Sequence, residues 1–323
     1  MDSLYITTDG KIKGEGNTIY FVNEKEKRSF PVQNIKEIVC MGQVSLTSGA
    51  ISYLLKRGVP VHFFNRYGNY EGSLFPKFRE YYGEIVVRQA EHYLDYGKRM
   101  YIARQIVDGL KHNILKNLRY YLKRGKEVKS SIEKIEKVET DTESITQLMN
   151  REGRIWSYYY DTFDETYKAF PLERREYRPP INEMNALISF GNALLYVTTL
   201  SEIYHTPLYP GISYLHEPEV RRFSLALDIA DIFKPVIVER VLSSLINNNM
   251  IKNSDFRIEG GYYLKNRAKK KFLQVYNEKL ETTVFDRKLG RNVSYKTLIR
   301  MEAYKLVRHV TGKGKYRSLR RWW

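Results

Sequence analysis

Four side chains have the types and spacing to hold a divalent cation. Ile145, Leu148, Met149, Trp156, Tyr159 and Phe163 recur with a helical period, and position 152 falls on the same apolar stripe. The residue there is Glu152, a carboxylate aimed inward. Left unpaired in a core it costs several kcal/mol or shifts its pKa, so it needs a cation, a donor or a metal. An arginine partner, or a tilt to the edge of the stripe, would satisfy it equally well. Gly153 beside it would permit close approach of another backbone. Asp228 and Asp231 are three residues apart in Leu227-Asp-Ile-Ala-Asp-Ile-Phe233 and therefore share a helix face. Placement near a helix N-terminus would suit such a pair, but acids one turn apart repel unless a cation sits between them. His216 lies just upstream, in a proline-bounded loop.

One imidazole with two or three carboxylates and no thiolate is a hard, oxygen-dominated ligand set, suited to an octahedral Mn²⁺ or Mg²⁺. Such an ion can clamp a phosphodiester oxygen and lower the pKa of a bound water or hydroxyl. The charge of the chain favours that substrate. Lys and Arg number 54 against 37 Asp and Glu, a formal net charge of +17, and a phosphate polymer gains affinity for such a surface by counterion release. A thermophile's charged surface enriches both signs and does not produce this surplus. Arg221, Arg222 and Lys234 flank the acids and are candidates to hold neighbouring phosphates. Lys269, Lys270 and Lys271 belong to the densest internal basic run, and a basic tail ends in Trp322-Trp323.

These residues must be positioned by two domains of different period. From residue 1 to 78 short apolar runs alternate between glycine-bearing turns, which predicts a small antiparallel β domain with one helix over Thr47–Lys56. Residues 79–84 read as a linker. From 85 to 311 the pattern predicts a larger all-α catalytic domain, making the chain α+β. Ile102, Ile106, Leu110, Ile114 and Leu118 mark its first long helix, closing before Gly125. Lys126–Glu139 reads as a solvated tip. Thr140 and Glu143 have capping-box spacing for the Glu152 helix, which is expected to run to about Ala169. An apolar helix over Ile181–Tyr204 belongs deep in the core, and Pro235 breaks the helix that carries Asp231. A tight hairpin is expected around Gly260-Gly261, then two helices to about Thr311, and residues 312–323 form the tail. Cys40 is the only cysteine, no signal peptide is evident and no run of eighteen apolar residues occurs, so a cytoplasmic protein with no membrane association is expected.

The run from His216 through Arg221-Arg-Phe-Ser-Leu-Ala-Leu-Asp-Ile-Ala-Asp-Ile-Phe-Lys-Pro235, the segment Ser189-Phe-Gly-Asn-Ala-Leu-Leu-Tyr196, and Glu152 in its Arg-Glu-Gly setting resemble the CRISPR-associated Cas1 family. The resemblance covers nearly the whole chain. It implies a metal-dependent DNA endonuclease and integrase that inserts short DNA fragments into a repeat array by attack of a 3′ hydroxyl. It implies Glu152, His216 and Asp231 as catalytic ligands of Mn²⁺ or Mg²⁺, with Asp228 as an auxiliary acid that orients a water or a ligand. It further implies double-stranded, possibly branched DNA as partner, a homodimer formed through the β domains, and a heterocomplex with Cas2. Two other readings compete: a non-catalytic basic scaffold for nucleic acid, and a metal phosphoesterase for small substrates. Mn²⁺-dependent stabilisation and turnover separate the first, and steep salt dependence of DNA binding separates the second.

Overall fold

The computed structural model describes residues 3–16, 18–77, 83–218, 223–287 and 289–321. Most of the expected linker, at 79–82, lies outside the described residues, as do Arg221, Arg222 and Trp322-Trp323.

Among the described residues, the N-terminal region as far as Leu74 holds eight strands and one α-helix. Strands β1 (Ser3–Ile6), β5 (Glu37–Cys40), β7 (Val61–Phe64) and β8 (Tyr70–Leu74) form one sheet in that order. Strands β4 (Lys27–Phe30), β3 (Thr18–Val22), β2 (Gly10–Glu15) and β6 (Val44–Leu46) form the other. The α+β class holds, but the sheets are mixed rather than antiparallel: β1 with β5, β5 with β7, and β2 with β6 all run parallel. Turn-rich sequence records local hairpins, whereas parallel pairing arises from crossovers such as α1 (Ser48–Lys56), which leave no local signature. Thr47 caps α1 by accepting from the Ala50 amide.

Strand β5 is buried along its whole length and feeds two cores. Ile38 and Cys40 pack into the N-terminal core with Ile12, Ile19, Phe21 and Leu54. Val39, one residue out of phase, packs with Met41 and Phe64 into the helical core. The sheet is thus the wall between the domains.

Beyond it lie α2 (Gly83–Leu94), α3 (Tyr96–Leu122), α4 (Lys129–Glu136), α5 (Ile145–Tyr160), α6 (Phe163–Thr166), α7 (Glu183–Tyr204), α8 (Ser224–Phe233), α9 (Val238–Asn247), α10 (Asn266–Glu281) and α11 (Tyr295–Val310). The expected hairpin is β9 (Phe256–Ile258) with β10 (Tyr262–Leu264), and a second, β11 (Thr283–Asp286) with β12 (Arg291–Ser294), separates the last two helices. This domain is therefore helical with two hairpins rather than all-α. Helix α7 is the one described helix long and apolar enough to cross a membrane, and 78% of its most apolar stretch is buried inside the protein. It is the central core helix. At Gly191 a side chain would strike Val238 and Phe272, so this glycine sets how closely α9 and α10 approach.

Three local expectations change. Helix α4 is not a solvated tip: Ile132 and Ile135, with Val138 just beyond, are buried among the helical core residues. Ser144 rather than Thr140 caps α5, accepting from the Gln147 amide at 3.2 Å while Gln147 Oε1 accepts from the Glu143 amide. Thr140 instead donates to Asp108, and α5 stops at Tyr160. The described part of the tail is packed, with Tyr316 and Leu319 buried and both donating to Glu302 Oε1 on α11. Ser318 lies so close to Gly109 of α3 that only glycine fits there.

Candidate active site

The loop between α7 and α8 folds around one carboxylate. Asp228 Oδ2 accepts from the amides of Tyr214 and Leu215 at 2.7 and 3.1 Å, and Oδ1 accepts from the His216 amide at 3.0 Å. The His216 ring adds Nδ1 to Oδ1 at 2.8 Å. Asp228 is fully buried with four donors on its two oxygens. It is a positioning group, because its lone pairs are spent on the loop and on the imidazole. Tying Nδ1 down leaves Nε2 as the outward nitrogen.

His216 Nε2 faces Asp231 Oδ2 at 3.9 Å. That is less than twice the roughly 2.1 Å bond length of Mg²⁺, so both atoms can reach one ion. Asp231 is buried, and its Oδ1 takes no regular hydrogen bond; the Lys234 ammonium, one turn along, forms an ion pair with it. From α5, Glu152 lines the same cleft beside Trp156. The face of Trp156 lies under Lys234 and stacks on Tyr160.

Electrostatics tie the three ligand candidates together. Burial, then the charge of Asp231, raises Glu152 to about 7, with Lys234 and His216 opposing. Burial pulls His216 down, but the hydrogen bond and charge of Asp228, backed by Asp231 and Glu152, carry it up to about 9. Burial also acts to lower Lys234, and Asp231 overrides it, so the ammonium is held charged. Acids and cations thus fill the cleft without saturating one another. The donor set of two carboxylates and one imidazole nitrogen fits a hard divalent ion. Among the described residues no three His, Cys, Asp or Glu side chains already close on a common point. Lys234 instead supplies positive charge to Asp231.

The cleft, of about 590 Å³, brings together Glu152, His216, Asp231 and Lys234. Lys234, expected to hold a flanking phosphate, sits inside it on Asp231. The 269–271 run splits. Lys269 is buried and donates to the Arg66 carbonyl in a separate cleft, Lys270 is exposed, and Lys271 pairs with Asp255. Gly153 is exposed on the cleft, and among the described residues nothing lies within 4 Å of where a side chain on it would begin. Sequence reasoning missed Arg175, which lines the cleft while held by Asn185 and Ser189. Asn192 lines it too, and its place in the Ser189–Tyr196 segment was the available signal.

Comparison with known proteins settles the family. The family model described as CRISPR associated protein Cas1 matches residues 4–278. The chain belongs to the Cas1 family. A relative from Thermodesulfovibrio yellowstonii, named CRISPR-associated endonuclease Cas1 3, is 44% identical over 326 residues, covering 100% of both chains. One from Pyrococcus horikoshii, named CRISPR-associated endonuclease Cas1, is 40% identical over 99% of this chain and 98% of its own. A solved Cas1 protein from Thermotoga maritima superposes with a TM-score of 0.89 at 38% identity, covering 99% of this chain and 100% of that one. A casposase bound to integration product shares the fold at a TM-score of 0.84 and 22% identity. Membership of a family whose curated members are named endonucleases makes this chain an enzyme of the Cas1 endonuclease type.

Proposed function

We propose that the chain is a metal-dependent DNA endonuclease and integrase of CRISPR adaptation, inserting short DNA fragments into a repeat array by phosphodiester transesterification. Glu152, His216 and Asp231 would hold the cation, Mn²⁺ or Mg²⁺. The observation that carries this reading is the tethered imidazole: Asp228 fixes His216 Nδ1, so Nε2 is presented to Asp231 in the cleft that Glu152 also enters.

A bound divalent ion would polarise the scissile phosphate and stabilise charge developing on its oxygens. The chain's own groups do the rest. Asp228 holds the imidazole in one orientation through its contacts with the loop. Lys234 supplies a fixed positive charge beside Asp231, where it would complement negative charge on a phosphoryl oxygen in the cleft. Arg175, Trp156 and Tyr160 line the path of the strand, and the exposed Gly153, Ser157 and Asp161 leave the cleft open enough for a polymer. The joining step is in-line: a 3′ hydroxyl oxygen bonds to phosphorus, the bridging P–O bond breaks, and the leaving oxygen takes a proton.

DNA, a second copy of the chain and Cas2 are the partners of this reading. Joining of a short duplex to a repeat-containing plasmid tests it, with Mn²⁺ or Mg²⁺ supplied. Glu152→Ala, His216→Ala and Asp231→Ala each reduce turnover by about 10³ or more while DNA affinity is nearly kept. Wild-type rates in a folded variant reject that residue as a ligand.

A further inference from the structure

Two guanidinium groups share one carbonyl oxygen on the helical domain. Arg240 Nη2 of α9 and Arg321 Nη1 of the C-terminal segment both donate to Asn117 Oδ1, at 3.1 and 2.9 Å. The Lys279 ammonium of α10 joins them, 3.7 Å from the centre of the Tyr295 ring. Among the described residues none of these three cations has a carboxylate within ion-pair distance. Glu239 adjoins Arg240, but burial raises it to about 8 and its carboxyl faces Tyr167, so near neutrality it offers little countercharge. Arg321 is 6% exposed and its Nε has no hydrogen-bond partner.

Two guanidinium charges on one amide oxygen repel, the Lys279 ammonium over the Tyr295 ring feels both, and half-burial strengthens the repulsion. Burial and then Arg240 and Arg321 bring Lys279 down to about 8. Aliphatic side chains would pack here at lower electrostatic cost, so the arrangement makes physical sense with an anion in place. Two planar forks and an ammonium suit the oxygens of a phosphate.

The surroundings say where that phosphate comes from. Arg320 adjoins Arg321 and, with Lys116 and Arg119 of α3, faces His112; Arg320 is paired with Asp108 at 3.5 Å and Arg119 with Glu136 at 2.7 Å. Arg320 also lines a separate cleft of about 650 Å³ together with Arg308, Lys315 and Arg317. A free phosphate needs the cluster alone, whereas a row of cations running on from it matches a repeating chain of phosphates. None of Arg240, Lys279 and Arg321 lines the reaction cleft, and Asn117 bridges inward from them to Tyr159 and the Pro235 carbonyl.

We propose that Arg240, Lys279 and Arg321 form an oxyanion site that grips a backbone phosphate of nucleic acid outside the reaction cleft. The C-terminal segment supplies neighbouring contacts.

The test is equilibrium binding of the full-length protein to a mixed-sequence DNA duplex across a salt series, without divalent metal, so it does not depend on catalysis. Arg240→Gln with Lys279→Gln is compared with Lys11→Gln with Lys25→Gln, which removes equal charge at exposed N-terminal positions. The cluster pair weakens binding about tenfold more than the control and makes the slope of log affinity against log salt shallower by about 1, the mark of one lost phosphate contact. Its melting temperature in chloride is not lowered, since repulsion is relieved; if the pair fails to fold, Lys279→Gln alone is used. Salt slope and affinity equal to the control overturn the proposal. So does a result in which inorganic phosphate raises the wild-type melting temperature while duplex binding of the two pairs is the same, because the site then serves free phosphate only.

Discussion

Two glutamates, Glu37 fully buried and Glu152 half-buried, face opposite fates in this protein. Glu37 sits at the wall between the domains, where Ser3, Ser201 and Lys296 all donate to its oxygens at 2.5 to 2.7 Å. Burial alone would raise it, but Lys296 and then His62 hold it down to about 2. Glu152 sits in the cleft, and burial with Asp231 lifts it to about 7. The first carboxylate is paid in full by its neighbours, whereas the second is crowded by a like charge. A saturated buried charge locks structure, and an unsaturated one awaits a ligand.

The contrast can be broken most forcefully at Glu37. Glu37→Ala takes from Lys296 its 2.7 Å carboxylate partner, leaving Glu202 at 4.0 Å, and lowers unfolding free energy by about 3 kcal/mol, measured by denaturant titration. Little change would mean that the network is ornamental. Acid probes the same wall. Burial holds His62 down to about 4, so below its ordinary pKa near 6.5 the unfolded chain binds a proton that the folded chain refuses. Stability therefore falls as pH drops from about 6.5 to 4, on the order of a few kcal/mol, and Glu37 extends the loss from about 4.5 toward 2. His62→Gln flattens the upper part of that profile; an unchanged profile would remove His62 from the account.

On the cleft side the effects on folding are smaller. Asp228→Asn keeps the loop largely in place but weakens the grip on the imidazole, and Mn²⁺ affinity falls by about 10- to 100-fold by calorimetry. Smallest of all, Glu152→Gln in metal-free protein leaves the melting temperature unchanged or raises it by a degree or two, because a crowded acid is removed. A clear drop would make Glu152 a structural residue like Glu37.

How much of this is legible in the sequence follows from range. Glu152 betrays itself by breaking an apolar helical stripe, and Asp228 and Asp231 by sharing a face one turn apart, so both signals are local. That Asp228 serves the loop while Asp231 faces the cleft depends on which way residues 214–216 fold, which no spacing encodes. Lys269 reads as a surface cation, yet its ammonium reaches Arg66, 203 residues away in sequence. The tail reads only as a basic run, and its burial hinges on the alignment of Tyr316 and Leu319 with Glu302. The parallel strand pairs are long-range too. Periodicity reports which face is buried and is silent about what buries it.

The claim on which the rest depends is that one cation is gripped by an imidazole nitrogen and two acids from separate elements. Pulsed electron paramagnetic resonance of Mn²⁺ bound to histidine-¹⁵N-labelled protein reads this directly. A single directly coordinated imidazole nitrogen is expected, absent in His216→Gln, with tight Mn²⁺ binding lost in Glu152→Gln and Asp231→Asn. Mn²⁺ bound without nitrogen coupling, or coupling that survives His216→Gln, would contradict it.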